Sequence, residues 1–124
     1  FAATVILGTL ARIWLAPSRL LHSASRPASM AVGALAANLL NNLPATVLLA
    51  ADKPAHPRAL LIGLNVGPNL AVSGSLAAIL WLQVGRAAGS HPSARRFSTI
   101  GVVLVPLTLL SAYLALALLS PASA

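Results

Sequence analysis

Residues 63–82 (GLNVGPNLAVSGSLAAILWL) constrain this chain more than any other stretch. Both ends are apolar and no residue is charged, yet the middle gathers helix breakers and amides. Gly67-Pro68 predicts a helix stop, because glycine tolerates a left-handed cap and proline cannot continue the ladder of backbone hydrogen bonds. Ser73-Gly74-Ser75 predicts a new start, with a serine oxygen capping the free N–H groups of the turn that opens at Leu76. In water this would be a loop between short helices. At membrane depth the choice is narrower: irregular backbone survives there only when buried in protein or lining a polar cavity. Helices interrupted near the bilayer midplane, with their ends facing a site, are a recurring device of transporters.

Composition favours the membrane. Hydrophobic residues make up 58% of the chain and charged residues 7%, whereas a soluble domain carries roughly a quarter charged. Eight Lys and Arg stand against one acid, Asp52. The cations lie in short segments between apolar runs, the usual flanks of membrane spans, and form no basic stripe interleaved with aromatics. Nucleic acid is therefore not an expected partner. With no cysteine, a disulfide framework, a thiolate metal site and a redox motif are excluded. The chain opens at Phe1 inside an apolar run, which reads as a piece of a longer protein.

Residues 1–11 read as the tail of a spanning helix, and the segment after them, with Arg12, Arg19, His22 and Arg26, as a water-facing connection in which His22 is a solvated loop residue. Residues 28–51 are long enough to span, at about two dozen residues. Asn41-Asn42-Leu43-Pro44 interrupts them, since asparagine caps helix starts and proline is favoured in a first turn. Two half-helices meeting at Asn41-Asn42 follow, as a hairpin entering and leaving on one side or as a kinked span. The plainer reading is a kinked helix whose amides bond neighbouring helices. Asp52 beside Lys53 reads as a hydrated acid at a helix end. A discontinuous helix is expected over about 58–85, with Trp81 near the membrane interface, and a last span over about 97–119. Pro106 kinks that span, and Thr108 compensates part of the freed backbone. The loops at 12–27 and 52–58 carry five Lys or Arg and the loop at 86–96 three, too even a division for orientation to follow from positive charge.

No catalytic set is visible: no HExxH, no nucleophile paired with a base, no pair of acids. Ser75 is the one candidate nucleophile, and its context is a helix cap. No metal site and no cofactor are expected. Two uncharged hydrogen-bonding centres remain. Asn41, Asn42 and Thr46, with Pro44 as breaker, form one; Asn65, Asn69, Ser73 and Ser75, with Gly67, Pro68 and Gly74 as breakers, form the other. Amides offer donors and acceptors, and half-helix ends add free backbone groups. Such a site suits a small polyhydroxylated solute or a cation held by carbonyls.

At these residues the sequence resembles a known family. LLNNLPATVLLA followed by LIGLNVGPNLAVSGSLAAILWL is similar to the C-terminal part of the ArsB-type arsenite efflux permeases, of the ion transporter superfamily. The shared pattern is an NN-x-P hairpin tip, G-x-N/D-x-G-P, G-S-L-A with L-W, a basic loop and a last span. It covers about 95 residues, from Ala28 onward. The chain departs from it where relatives carry an acid (here Asn65), a lysine (here Asn69) and Thr-Pro (here Ala71-Val72). The resemblance implies an all-α membrane protein of two inverted repeats, with residues 1–124 a single membrane domain belonging to the C-terminal repeat. It implies a re-entrant hairpin whose tip holds Asn41 and Asn42, and a helix break holding Asn65, Gly67, Pro68, Asn69, Gly74 and Ser75. Arsenite or antimonite would leave the cell through the cell membrane in exchange for protons, with a cytoplasmic ATPase as partner in some systems. Carriage of a carboxylate or Na⁺ within the same superfamily, and a non-transporting subunit whose amides only pack helices, are the alternatives. Arsenous acid is largely neutral near pH 7, so hydroxyl partners suffice. The lack of thiolates, which would hold arsenic(III) tightly, fits a carrier that must release.

Overall fold

The computed structural model describes residues 5, 6, 9 and 16–119, and most of the expected spanning tail at 1–11 lies outside them. The described residues are helical and contain no strand. A short turn of helix, α1 (Ala16–Arg19), precedes α2 (Arg26–Leu40), α3 (Asn42–Leu49), α4 (Pro57–Val66), two 3₁₀ turns (Gly67–Asn69 and Val72–Gly74), α5 (Leu76–Ala87) and α6 (Ala94–Leu119). α2 starts where Ser25 Oγ accepts a hydrogen bond from the Ala28 N–H, with Pro27 in the first turn, where a missing donor costs nothing.

Asn41 ends α2 and reverses the chain. Its backbone sits at φ 73°, ψ 154°, a region nearly confined to glycine, where a side chain costs about 1–3 kcal/mol. The Asn41 Oδ1 offsets part of that cost by accepting the Asn42 N–H at 2.7 Å. α3 then runs back along α2 until the Ala55 N–H donates to the Leu21 carbonyl at 3.1 Å. His22 Nε2 lies 3.0 Å from Asp52 Oδ2 beside that bond. The two feet of the hairpin therefore stand together. His22 and Asp52 are partners and not the independently solvated loop residues that the sequence suggests, because only the hairpin brings positions 30 residues apart into reach.

α2 and α4 run in the same direction and meet backbone to backbone. Gly33 faces the Leu60 carbonyl, Gly63 that of Met30, Gly67 that of Ala34, and Gly74 the Asn38 side-chain oxygen. At each contact the hydrogen in place of a side chain points at an oxygen, the Cα–H···O geometry of closely approaching helices. Leu21, Ala37, Ala45, Leu49, Leu60 and Leu64 form the apolar cluster that seals the hairpin onto α4.

Gly67 departs from expectation. It is right-handed, at φ −52°, ψ −44°, and not a left-handed cap. Its lack of a side chain serves close packing, because a Cβ there would collide with Ala34 backbone. Helical backbone continues through a 3₁₀ turn to Leu70 (φ −66°, ψ −41°) and opens only at Ala71 (φ −144°, ψ 155°). The α-helix thus stops at Val66, directly before Gly67-Pro68 as expected, while the backbone becomes extended only at Ala71. Ser75 then caps α5 as expected, its Oγ accepting the Ala78 N–H.

α6 has 26 residues, about 39 Å at 1.5 Å per residue. It is long and apolar enough to cross a bilayer, and it is the one such helix among the described residues. It crosses the break at Gly101, which faces the carbonyls of Asn69 and Leu70. Pro106 removes the donor that would reach the Val102 carbonyl. The Thr108 hydroxyl donates to Leu104 and not to that freed carbonyl. Thr99 and Ser111 likewise donate to the carbonyl four residues earlier, so these hydroxyls of α6 are satisfied within the helix.

A candidate polar site between the broken helix and the last helix

The register of α4 sets the site. Gly63 and Gly67 occupy the face toward α2, so Asn65 and Asn69, one turn apart, look another way. They line a cavity of about 380 Å³ whose opposite wall is α6, with Phe97, Gly101, Leu104 and Thr108. Asn65 Nδ2 donates to the Leu61 carbonyl at 2.8 Å and Asn69 Nδ2 to that of Val66 at 3.2 Å. Each amide thereby spends a donor on its own helix. The complementary oxygens, Asn65 Oδ1 and Asn69 Oδ1, receive no hydrogen bond among the described residues. Each side chain keeps its second N–H as well as its oxygen, so the turn presents a donor and an acceptor at each amide. The cavity therefore offers uncharged amide donors and acceptors in a largely apolar wall, which suits a ligand rich in O–H groups or a cation that takes carbonyl oxygens. None of the described residues forms a cluster of His, Asp or Glu able to hold a metal.

The hairpin tip contributes to a neighbouring place and not to that wall. Asn41, Asn42 and Thr46 are not among the residues lining the cavity. Thr46 Oγ1 donates to the Asn42 carbonyl at 2.7 Å, and Pro44 lies in the first turn of α3. Asn42 is exposed. Ser73 is exposed, and Ser75 is engaged as a cap. What the structure does bring together are the two interruptions themselves. Asn38, in the last turn before the tip, packs against Gly74 in the second 3₁₀ turn.

Asn38 was not legible as special, since it sits in a smooth helical run. Its Oδ1 is buried without a hydrogen-bond partner among the described residues, as is Ser29 Oγ. Buried polar atoms of this kind are uncommon, because an unmet acceptor forfeits its hydration. The signal that could have found Asn38 is its place one helical turn before the Asn-Asn pair. Thr108 and Gly101 are the further lining residues that sequence reasoning did not assign to a site. Trp81 meets Phe97 with ring centroids 6.5 Å apart, which ties α5 to the start of α6. Compared with family models, curated proteins and solved structures, the chain shows no significant match, so the site is read from its own geometry.

Proposed function

We propose that this chain is the C-terminal part of a secondary transporter that exports arsenite or antimonite in exchange for protons. In this reading the hairpin re-enters the membrane from one side, α4 and α5 are the halves of a discontinuous helix, and α6 spans. An inverted N-terminal repeat completes the substrate path. The observation that carries the proposal is the junction of two interrupted helices, Asn38 against Gly74, beside a cavity that presents uncharged amide acceptors. Neutral arsenous acid brings three O–H donors and needs no countercharge, so asparagine oxygens match it better than a basic or acidic site would. The feet of the hairpin, joined by Leu21 and Ala55, are what a segment entering and leaving on one side requires.

Expression of the full-length protein in cells lacking arsenite efflux tests the proposal. Restored arsenite resistance that collapses with the proton gradient is the expected result, and unchanged sensitivity at normal protein level would refute it. The topology has its own check: single cysteines at Ser25 and Ala55 label from the same face of the membrane if the hairpin re-enters, and from opposite faces if it spans.

A further inference from the structure

At the foot of the hairpin a second cavity, of about 200 Å³, opens between the starts of α2 and α4 and the end of α6. Arg26, His56 and Arg58 line it together with Pro57, Ala59 and Leu116. One wall is thus basic and the other apolar. The chain supplies no anion for the basic wall. Its sole acid, Asp52, accepts the Lys53 N–H through Oδ1 and faces His22 through Oδ2. Neither Arg26 nor Arg58 has an ion-pair partner among the described residues. Helix α4 also begins here without a side-chain cap, so its open amide groups lie at the same end and add to the positive potential. Leu116 belongs to the last turn of the 26-residue apolar helix, which places the cavity where that helix would leave the hydrocarbon.

We infer that this cavity binds the phosphate of an anionic phospholipid headgroup, with Arg26 and Arg58 on the phosphate oxygens and the acyl chains along the α6 face at Leu116. The inference rests on the membrane placement of α6 proposed above, and not on the identity of the transported solute. Guanidinium groups match phosphate oxygens in pairs, and basic pockets between membrane helices at the bilayer surface are a known form of lipid recognition. Free phosphate shares the anionic chemistry but not the apolar wall, so the two sources separate by experiment.

The test uses the purified full-length protein in a neutral detergent, delipidated, with binding read by native mass spectrometry and by the shift of thermal unfolding. The probes are short-chain phosphatidylglycerol, short-chain phosphatidylcholine and inorganic phosphate. Phosphatidylglycerol should bind, phosphatidylcholine far less, and phosphate should fail to displace the lipid at equal concentration. At roughly a factor of five per cation near a surface, the double variant Arg26→Gln/Arg58→Gln should lose about thirtyfold in affinity for phosphatidylglycerol. Arg95→Gln/Arg96→Gln, at the other end of α6, should leave it unchanged. Equal loss in both double variants, equal binding of the two lipids, or full displacement by inorganic phosphate would each overturn the inference. If Arg26→Gln/Arg58→Gln is poorly folded, Arg26→Lys/Arg58→Lys keeps the charge. It should retain phosphatidylglycerol binding within a few-fold, and its failure to bind would likewise overturn the inference. Because no transport is measured, a negative result here leaves the arsenite reading standing, and loss of arsenite transport leaves this one.

Discussion

The α2–α4 seam and helix α6 solve the packing of apolar sequence in opposite ways. Along the seam, Gly33, Gly63 and Gly67 let two backbones touch, and Ala34, Ala37, Ala59, Leu60 and Leu64 are buried. On α6, Gly101 and Val105 are buried, while Val102, Val103, Leu104, Leu107, Leu110, Leu114, Leu118 and Leu119 are each more than half exposed. The seam is short: α2 has 15 residues and α4 has 10, too few to cross a bilayer at about 20 residues. Short helices with broken ends gain their stability from contact with each other. A long helix whose backbone and hydroxyls are satisfied internally can present its side to hydrocarbon at no hydrogen-bonding cost. The difference separates a rigid, precisely packed part of the molecule from a helix that tolerates variation.

The largest effect should therefore come from filling the seam. Gly63→Leu or Gly67→Leu puts side-chain atoms into the backbone of Met30 or Ala34. Overpacking of this kind costs about 1–3 kcal/mol or more, whereas Leu110→Ala on the exposed side of α6 should change stability by about 0.5 kcal/mol or less. Thermal unfolding of the detergent-solubilised variants measures both. Comparable losses at the two places would break the contrast.

Next in size is the reversal at Asn41. Alanine there keeps the strained φ and loses the acceptor for the Asn42 N–H, while glycine removes the strain. Asn41→Ala should be less stable than Asn41→Gly by about 1–3 kcal/mol. Equal stability would mean that the tip is free to adopt another backbone. The smallest effect belongs to the foot of the hairpin. Asp52→Asn removes the pairing with His22 but can keep the bond to the Lys53 N–H. With the side chains 48% and 37% exposed, the cost should stay below about 1 kcal/mol in the same unfolding measurement.

The all-helical class and the sites of interruption were legible because Asn-Asn-x-Pro, Gly-Pro and Ser-Gly-Ser each carry a local backbone reason to stop or start. The last helix was legible from length and hydropathy, though it begins at Ala94 and not near 97, since Ser93 Oγ accepts the Arg96 N–H and caps an earlier turn. Gly67 was misread because a sequence shows that a side chain is absent but not what stands opposite. Ala71, the residue that actually opens the backbone, carries no local signal at all. Asn65 and Asn69 were legible as polar and four apart, hence on one face of a helix. Which face meets α6 depends on Gly63 and Gly67 turning toward α2, a tertiary fact. The same holds for Asn38 against Gly74 and for His22 against Asp52.

The central claim, that the interrupted helices build the substrate site, is tested most directly by arsenite resistance per molecule of protein. Asn65→Leu and Asn69→Leu, the two amides that line the cavity, should lose resistance in the full-length protein while membrane insertion is retained or improved, since an amide facing hydrocarbon opposes insertion. A bound O–H group left without its partner costs about 1–3 kcal/mol, which corresponds to a loss of affinity of roughly tenfold or more. Protein level is quantified in the same membranes, so that lost packing, which lowers abundance and activity in proportion, is distinguished from lost binding. A fall in resistance at unchanged protein level is the predicted result; normal resistance per molecule in both variants would contradict the account.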